Sequence, residues 1–262
     1  KGLNVFNDKY ILADAETATD TDYEFIEAIV AHEYFHNWTG NRVTLRDWFQ
    51  LSLKEGLTVF RDQEFSKDVR FGAVKRIQDV RTLRARQFPE DAGPLAHPVR
   101  PASYIEINNF YTATVYEKGA ELIRMLQTIL GHDGFTRGVR RYLADNDGRS
   151  ATVEDFIAAM EGETGARLTQ FMDWYGQPGT PRLIVEKNYD AAERRCVLTF
   201  KQSAGAMAGT AESRPLHIPV RLSLLNSSGE AVALRHPDET PKEASTARII
   251  ELRSEKERIE FV

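Results

Sequence analysis

His32-Glu33-Tyr34-Phe35-His36 is the segment whose residue types and spacing can do chemistry. On a helix, positions four apart share one face, so His32 and His36 can grip a single metal ion. Glu33 lies beside the first of these ligands and can reach a water on the metal without binding the metal itself. A catalytic zinc needs a third protein ligand and keeps a further position open for water. Glu55 is the candidate for that ligand, because residues 37–54 supply enough chain to turn back into an antiparallel helix. Asp62, seven residues after Glu55 and so on the same helical face, is the candidate for orienting the histidines. Two imidazoles and a carboxylate also suit cobalt or manganese, so the assignment to zinc rests on ligand type. By chance the five-residue pattern arises in on the order of one chain in a hundred, and a glutamate at one fixed later position cuts that roughly tenfold. An ordinary pair of core or surface histidines is therefore the weaker reading.

These residues need elements to hold them. A capping box at Thr21 and Glu24 opens a helix over Tyr23 to Trp38, with Ile26, Ile29, Val30 and Tyr34 at helical spacing. A second helix starts near Ser52 and runs through Leu57, Val59 and Phe60. Leu3 to Phe6 and Tyr10 to Leu12 read as extended segments. Gly93-Pro94, His97-Pro98 and Arg100-Pro101 mark an irregular stretch before a helix from Thr114 to Leu130, which Gly131 ends in a left-handed cap. Phe135 to Leu143 and Val153 to Glu161 are further helices, the latter capped by Thr152 and Asp155.

The pattern changes after Gly176-Gln177-Pro178-Gly179. Arg182 to Glu186, Cys196 to Lys201, His217 to Leu225, Ala231 to Leu234 and Ala247 to Leu252 read as strands, with a hairpin turn at Asn226 to Gly229. The fold class is α+β: a mainly helical domain over residues 1–180, then a small β-sandwich-like domain over 181–262. His97, His132, His217 and His236 fall beside turn residues or in the β-part and are expected in loops or at the surface. Cys196, the one cysteine among 262 residues, reads as a small core residue and excludes a disulfide framework or a cysteine-rich zinc site.

A 42% hydrophobic and 28% charged composition is that of a folded chain with a real core. The net charge of −5 argues against a general nucleic-acid binder; it divides as −6 over residues 1–180 and +1 over 181–262. No apolar run is long enough for a transmembrane helix.

Beyond the zinc pattern, Asn37-Trp38-Thr39-Gly40-Asn41, Glu55-Gly56-Leu57-Thr58, Tyr104 to Tyr111 and Thr114 to Glu121 resemble the M1 zinc aminopeptidases. The likeness covers residues 1 to about 180 closely and the β-part more loosely. It implies a thermolysin-like zinc-peptidase domain binding one Zn²⁺ through His32, His36 and Glu55. It also implies removal of N-terminal residues from peptides by a zinc-bound water, with Glu33 as general base. Tyr116 matches the tyrosine that stabilises the tetrahedral oxyanion, and Tyr10 and Tyr111 match residues lining the pocket for the first side chain. The expected substrates are peptides with a free N-terminus, handled by a cytoplasmic monomer with no nucleic-acid or membrane partner.

The family's Gly-x-Met-Glu-Asn strand, whose glutamate holds the substrate amine, has no match here. Lys1-Gly2-Leu3-Asn4 is similar to the residues directly downstream of that strand, and the strand-like run at Phe261-Val262 suggests a cut β-domain. The sequence is therefore expected to be a fragment. Two alternatives stand beside the aminopeptidase: a zinc-binding fragment with little or no activity, and a zinc endopeptidase of thermolysin type, which would cleave N-blocked peptides equally well.

Overall fold

A computed structural model describes residues 3–203 and 214–262. Lys1 and Gly2 of the amino-terminal match lie outside the described residues. The chain divides into two compact units, Lys1–Leu168 and Thr169–Val262. No helix among the described residues is long and apolar enough to cross a membrane.

In the first unit, helix α1 spans Asp20–Phe35. Its cap is not the expected Thr21–Glu24 pair. Thr19 Oγ1 accepts from the Asp22 amide while the Thr19 amide donates to Asp22 Oδ2 at 2.7 Å. Thr19 has the extended backbone an N-cap requires (ψ 166°), whereas Thr21 is already inside the helix. Each such cap contributes about 1 kcal/mol. The helix also ends earlier than expected, at Phe35, with His36 as its C-cap. A turn then folds back through Gly40, at φ 133°, and a bridge between Thr39 and Val43.

Helix α2, Leu51–Val69, buries twelve of its nineteen residues, which makes it the central element of this unit. α1 packs on it, as does α5, Gly119–Asn146. Between them lie α3 (Gly72–Thr82), a π-helical turn (Leu83–Gln87), α4 (Phe88–Ala92) and the irregular stretch read from its prolines. α5 is entered through a second π-helical turn, Thr114–Lys118, which the sequence pattern presents as ordinary α-helix. At Gly131 the helix breaks with φ 69°, as the glycine suggested, but ψ is 164°. That is the glycine-only region at positive φ rather than left-handed helical backbone, and the chain kinks and resumes rather than stopping. A short parallel pair, β1 (Thr44–Leu45) and β2 (Ser150–Ala151), ties the turn after α1 to the start of α6 (Val153–Thr164). Thr152 and Asp155 cap α6 reciprocally, as expected.

The extended segments expected near the amino terminus do not form strands among the described residues. Asp8–Tyr10 is a 3-10 turn, and Leu3 and Val5 stand 81% and 79% exposed. Among the described residues neither run has a neighbouring strand to accept its backbone donors, and a lone strand is not stable.

The second unit opens with short turns at Thr169–Met172 and α7, Asp173–Gly176. β3 (Arg182–Asp190), β4 (Arg195–Ser203) and β9 (Lys256–Phe261) form an antiparallel sheet in that order. β5 (Ile218–Leu222) pairs with β8 (Arg248–Leu252), and β6 (Leu224–Leu225) with β7 (Ala231–Val232). Strict alternation on β4 turns Cys196, Leu198 and Phe200 inward to meet Ile250 and Leu252 of β8 and Phe261 of β9. Two sheets sharing one apolar layer make the sandwich that the strand pattern implied. His217 departs from the expectation of a loop or surface histidine. It is fully buried, edge-on to Phe171, with Nε2 2.8 Å from Glu251 Oε2. The neighbouring turn residues mark the local path but not this contact with a ring far away in sequence.

Candidate metal centre

One face of α2 builds the centre. Glu55, Thr58 and Asp62 succeed one another at helical spacing along it, and each meets His32 in the last turn of α1 or His36 at its C-cap. Glu55 Oε2 lies 3.4 Å from His32 Nε2 and 3.2 Å from His36 Nε2. Asp62 Oδ2 sits 2.7 Å from His32 Nδ1 and accepts its proton. Thr58 Oγ1 lies 3.2 Å from His36 Nδ1, whose hydrogen also points at the Thr39 carbonyl, 3.0 Å away.

The three potential ligand atoms lie within 4.8 Å of one another. A metal about 2.0 to 2.1 Å from each vertex of a tetrahedron requires ligand atoms about 3.3 Å apart. The two distances to Glu55 match that edge, and both Nε2 atoms face the same point. The donor set, its spacing and its hydrogen-bonded outer nitrogens thus fit a zinc-type ion. His32, His36 and Glu55 are the residues that would hold it.

Charge is arranged for the same purpose. Burial opposes a proton on His32, but the Asp62 and Glu55 carboxylates outweigh it and raise the imidazole to about 9. Burial likewise opposes ionisation of Glu55, yet His32 and His36 hold it well below the usual carboxylate range. The pocket is therefore built for positive charge, which a proton or a cation can supply. Lys54 Nζ binds the other Glu55 oxygen at 2.9 Å and fixes its rotation.

Tyr116 lies parallel to the His32 ring, with centroids 6.5 Å apart and planes 10° apart. Burial, then the Glu55 charge, push its phenol well above the usual range, and Glu55 accepts its hydrogen. It stays protonated, as a donor must. Glu33 bears on the same hydroxyl through its negative charge, the smallest of these influences. The π-helical turn presents Tyr116, since a residue added to a helical turn rotates the side chains beyond it; such turns concentrate at functional sites. Ser52 Oγ donates to the Val115 carbonyl at 3.0 Å and ties that turn to α2.

Tyr111 sits 6.4 Å from Tyr116, so the structure brings these two together. Tyr10 stands elsewhere. It lines a cleft of about 820 Å³ walled by Phe25, Ile29, Val74, Asp62 and Glu117, whose lining includes none of the three ligands and neither Tyr111 nor Tyr116. Asp62 joins the two spaces. Glu117 within that cleft is pushed up to about 7 by burial and by the Asp62 charge, with Arg86 opposing. Sequence reasoning missed Thr58 and Thr39. The signal for Thr58 was available, because position 58 is one helical turn beyond Glu55.

Known proteins give this geometry its context. Residues 1–175 match the family model of the peptidase family M1 domain, and residues 179–262 match a domain of unknown function (DUF3458) with an Ig-like fold. Aminopeptidase N of Haemophilus influenzae is 56% identical over 239 residues, covering 91% of this chain and 28% of that protein. Its counterpart in Escherichia coli K12 is 55% identical over 240 residues, 90% of this chain and 28% of that one. The crystal structure of Legionella pneumophila aminopeptidase A in complex with aspartic acid superposes with a TM-score of 0.79 at 32% identity. It covers 100% of this chain and 27% of the Legionella chain. The chain thus spans under a third of the length of these relatives.

Proposed function

The chain belongs to the M1 peptidase family, and from that premise we propose that it carries the zinc-dependent catalytic centre of an aminopeptidase acting on peptides with a free N-terminus. The observation that carries the reading is the tetrahedral-edge spacing of Glu55 Oε2 from His32 Nε2 and His36 Nε2, with the Tyr116 ring stacked beside His32. Zinc, when bound, would lower the pKa of a water and polarise a substrate carbonyl.

The protein's own groups supply the remaining steps. Glu33 takes the proton of the attacking water and passes it to the departing amine nitrogen. Tyr116 donates a hydrogen bond to the oxygen that becomes negative as the carbonyl carbon turns tetrahedral. Glu55 and the two histidines hold their positions through Lys54, Asp62 and the Thr39–Thr58 pair. Tyr111, packed against Tyr116, forms part of the wall for the first side chain.

The test is release of a chromogenic amine from an unblocked alanyl anilide by the zinc-loaded chain, with its N-acetylated form and Glu33→Gln as controls. Turnover of the free-amine substrate that disappears in Glu33→Gln, with zinc content unchanged, is the expected result. Equal cleavage of the blocked substrate would indicate an endopeptidase. Zinc binding without turnover would leave a metal-binding unit and overturn the catalytic reading.

A further inference from the structure

We propose that Thr58 is the positioning residue for His36, locking its ring in the tautomer that leaves Nε2 free to bind metal. This rests on the metal-site reading above. Counting donors fixes where each hydrogen lies. The Thr39 carbonyl can only accept, and it lies 3.0 Å from His36 Nδ1, so that nitrogen carries the hydrogen. Thr58 Oγ1, 3.2 Å from the same nitrogen, then has to accept as well. Its own hydrogen goes to Thr39 Oγ1, 2.9 Å away, and the Thr39 hydroxyl donates onward to the Phe35 carbonyl at 3.4 Å. Moving the single hydrogen of the neutral ring to Nε2 would instead leave Nδ1 and the Thr39 carbonyl as two acceptors facing each other at 3.0 Å.

Burial gives the arrangement its force. Thr58 is 0% and Thr39 2% exposed, so water does not substitute for either hydroxyl. Thr58 stands on the helix that supplies Glu55, whereas Thr39 stands in the turn after the helix that supplies both histidines. The Thr58–Thr39 bond therefore fastens that turn to α2 and holds its carbonyl against the ring. The two histidines are oriented by unlike means: His32 by a carboxylate, His36 by a carbonyl and a hydroxyl, both neutral. Asp62 can reinforce the charge on its imidazole, but the Thr39–Thr58 pair can only fix geometry and tautomer.

The test compares Thr58→Val, which keeps shape and loses the hydroxyl, with Thr58→Ser, which keeps the hydroxyl. Long-range ¹H–¹⁵N spectra of the imidazoles in mildly alkaline buffer read the tautomer without any metal. Cobalt loading against a chelator, and the visible spectrum of the cobalt form, read affinity and geometry. Thr58→Val is expected to mix the His36 tautomers, to bind cobalt at least about 10-fold more weakly and to alter the spectrum, while Thr58→Ser stays near wild type. Thr39→Val removes only the hydroxyl that Thr58 donates to, and serves if Thr58→Val does not fold. Unchanged tautomer, affinity and spectrum in a folded Thr58→Val would overturn the proposal. A wild-type chain that binds neither cobalt nor zinc overturns the metal-site reading instead, and the tautomer spectra still decide the role of Thr58.

Discussion

Gly56 of α2 and Gly119, the first residue of α5, meet backbone to backbone. A β-carbon added to Gly56 would stand 2.8 Å from the Gly119 Cα, closer than such atoms pack. This contact lies next to Glu55 on one helix and three residues after Tyr116 on the other, so it sets the distance between the metal ligand and the phenol.

Gly56→Ala should therefore do two things. Overpacking of a tight core contact costs typically 1–3 kcal/mol, which thermal denaturation will read. It should also move Tyr116 away from Glu55, so turnover should fall further than zinc content.

Tyr116→Phe separates binding from chemistry. The ring remains over His32 while the donor is lost, so zinc content should hold. Turnover should drop about 10²- to 10³-fold, as when an oxyanion donor is removed elsewhere. Zinc content measured beside steady-state rates checks both parts, and an unchanged rate would remove Tyr116 from the mechanism.

Asp62→Asn keeps a side chain of the same shape but withdraws the charge that supports His32. Zinc affinity should weaken 10- to 100-fold by chelator competition. The loss should exceed any fall in thermal stability of the metal-free protein, because the same substitution also removes a buried charge.

Glu117 gives a pH dependence with a definite sign. Its carboxyl is at about 7 in the folded protein against an ordinary 4.5, so the folded chain holds the proton more tightly than the unfolded one. Its neutral form favours folding fully below about 4.5, and this contribution is lost as pH rises to about 7, at most ~3 kcal/mol. Asp62, Asp79, Arg86 and Lys75 set the local charge. Denaturant titrations of wild type and Glu117→Gln across this window should diverge progressively, the variant lacking the decline. Parallel curves would show that Glu117 is not buried as described.

The legible part of the site is the part fixed by helical arithmetic. His32 and His36 share a face because they are four apart, and Asp62 meets His32 because it lies two turns beyond Glu55. Thr58 obeys the same arithmetic, yet its partner is a backbone carbonyl in a turn, and no side-chain period reports where a carbonyl points. The π-helical turn under Tyr116 escaped because a single extra residue shifts the register only once, at the start of the helix, where too few apolar positions precede it to show the shift. In the β-part, alternation on β4 announced the core face, whereas the burial of His217 depends on Phe171, which no local pattern connects to it. Leu3 to Phe6 shows the opposite failure: a strand-like composition with no strand beside it among the described residues.

The stripe of Glu55, Thr58 and Asp62 also has a mechanical meaning. All three contacts cross one seam, from α2 to α1 and its turn, and all three sit on one rigid helix. Sliding one helix past the other loads the ligand and both supports together, so the cage has no hinge by which it could shed one partner at a time.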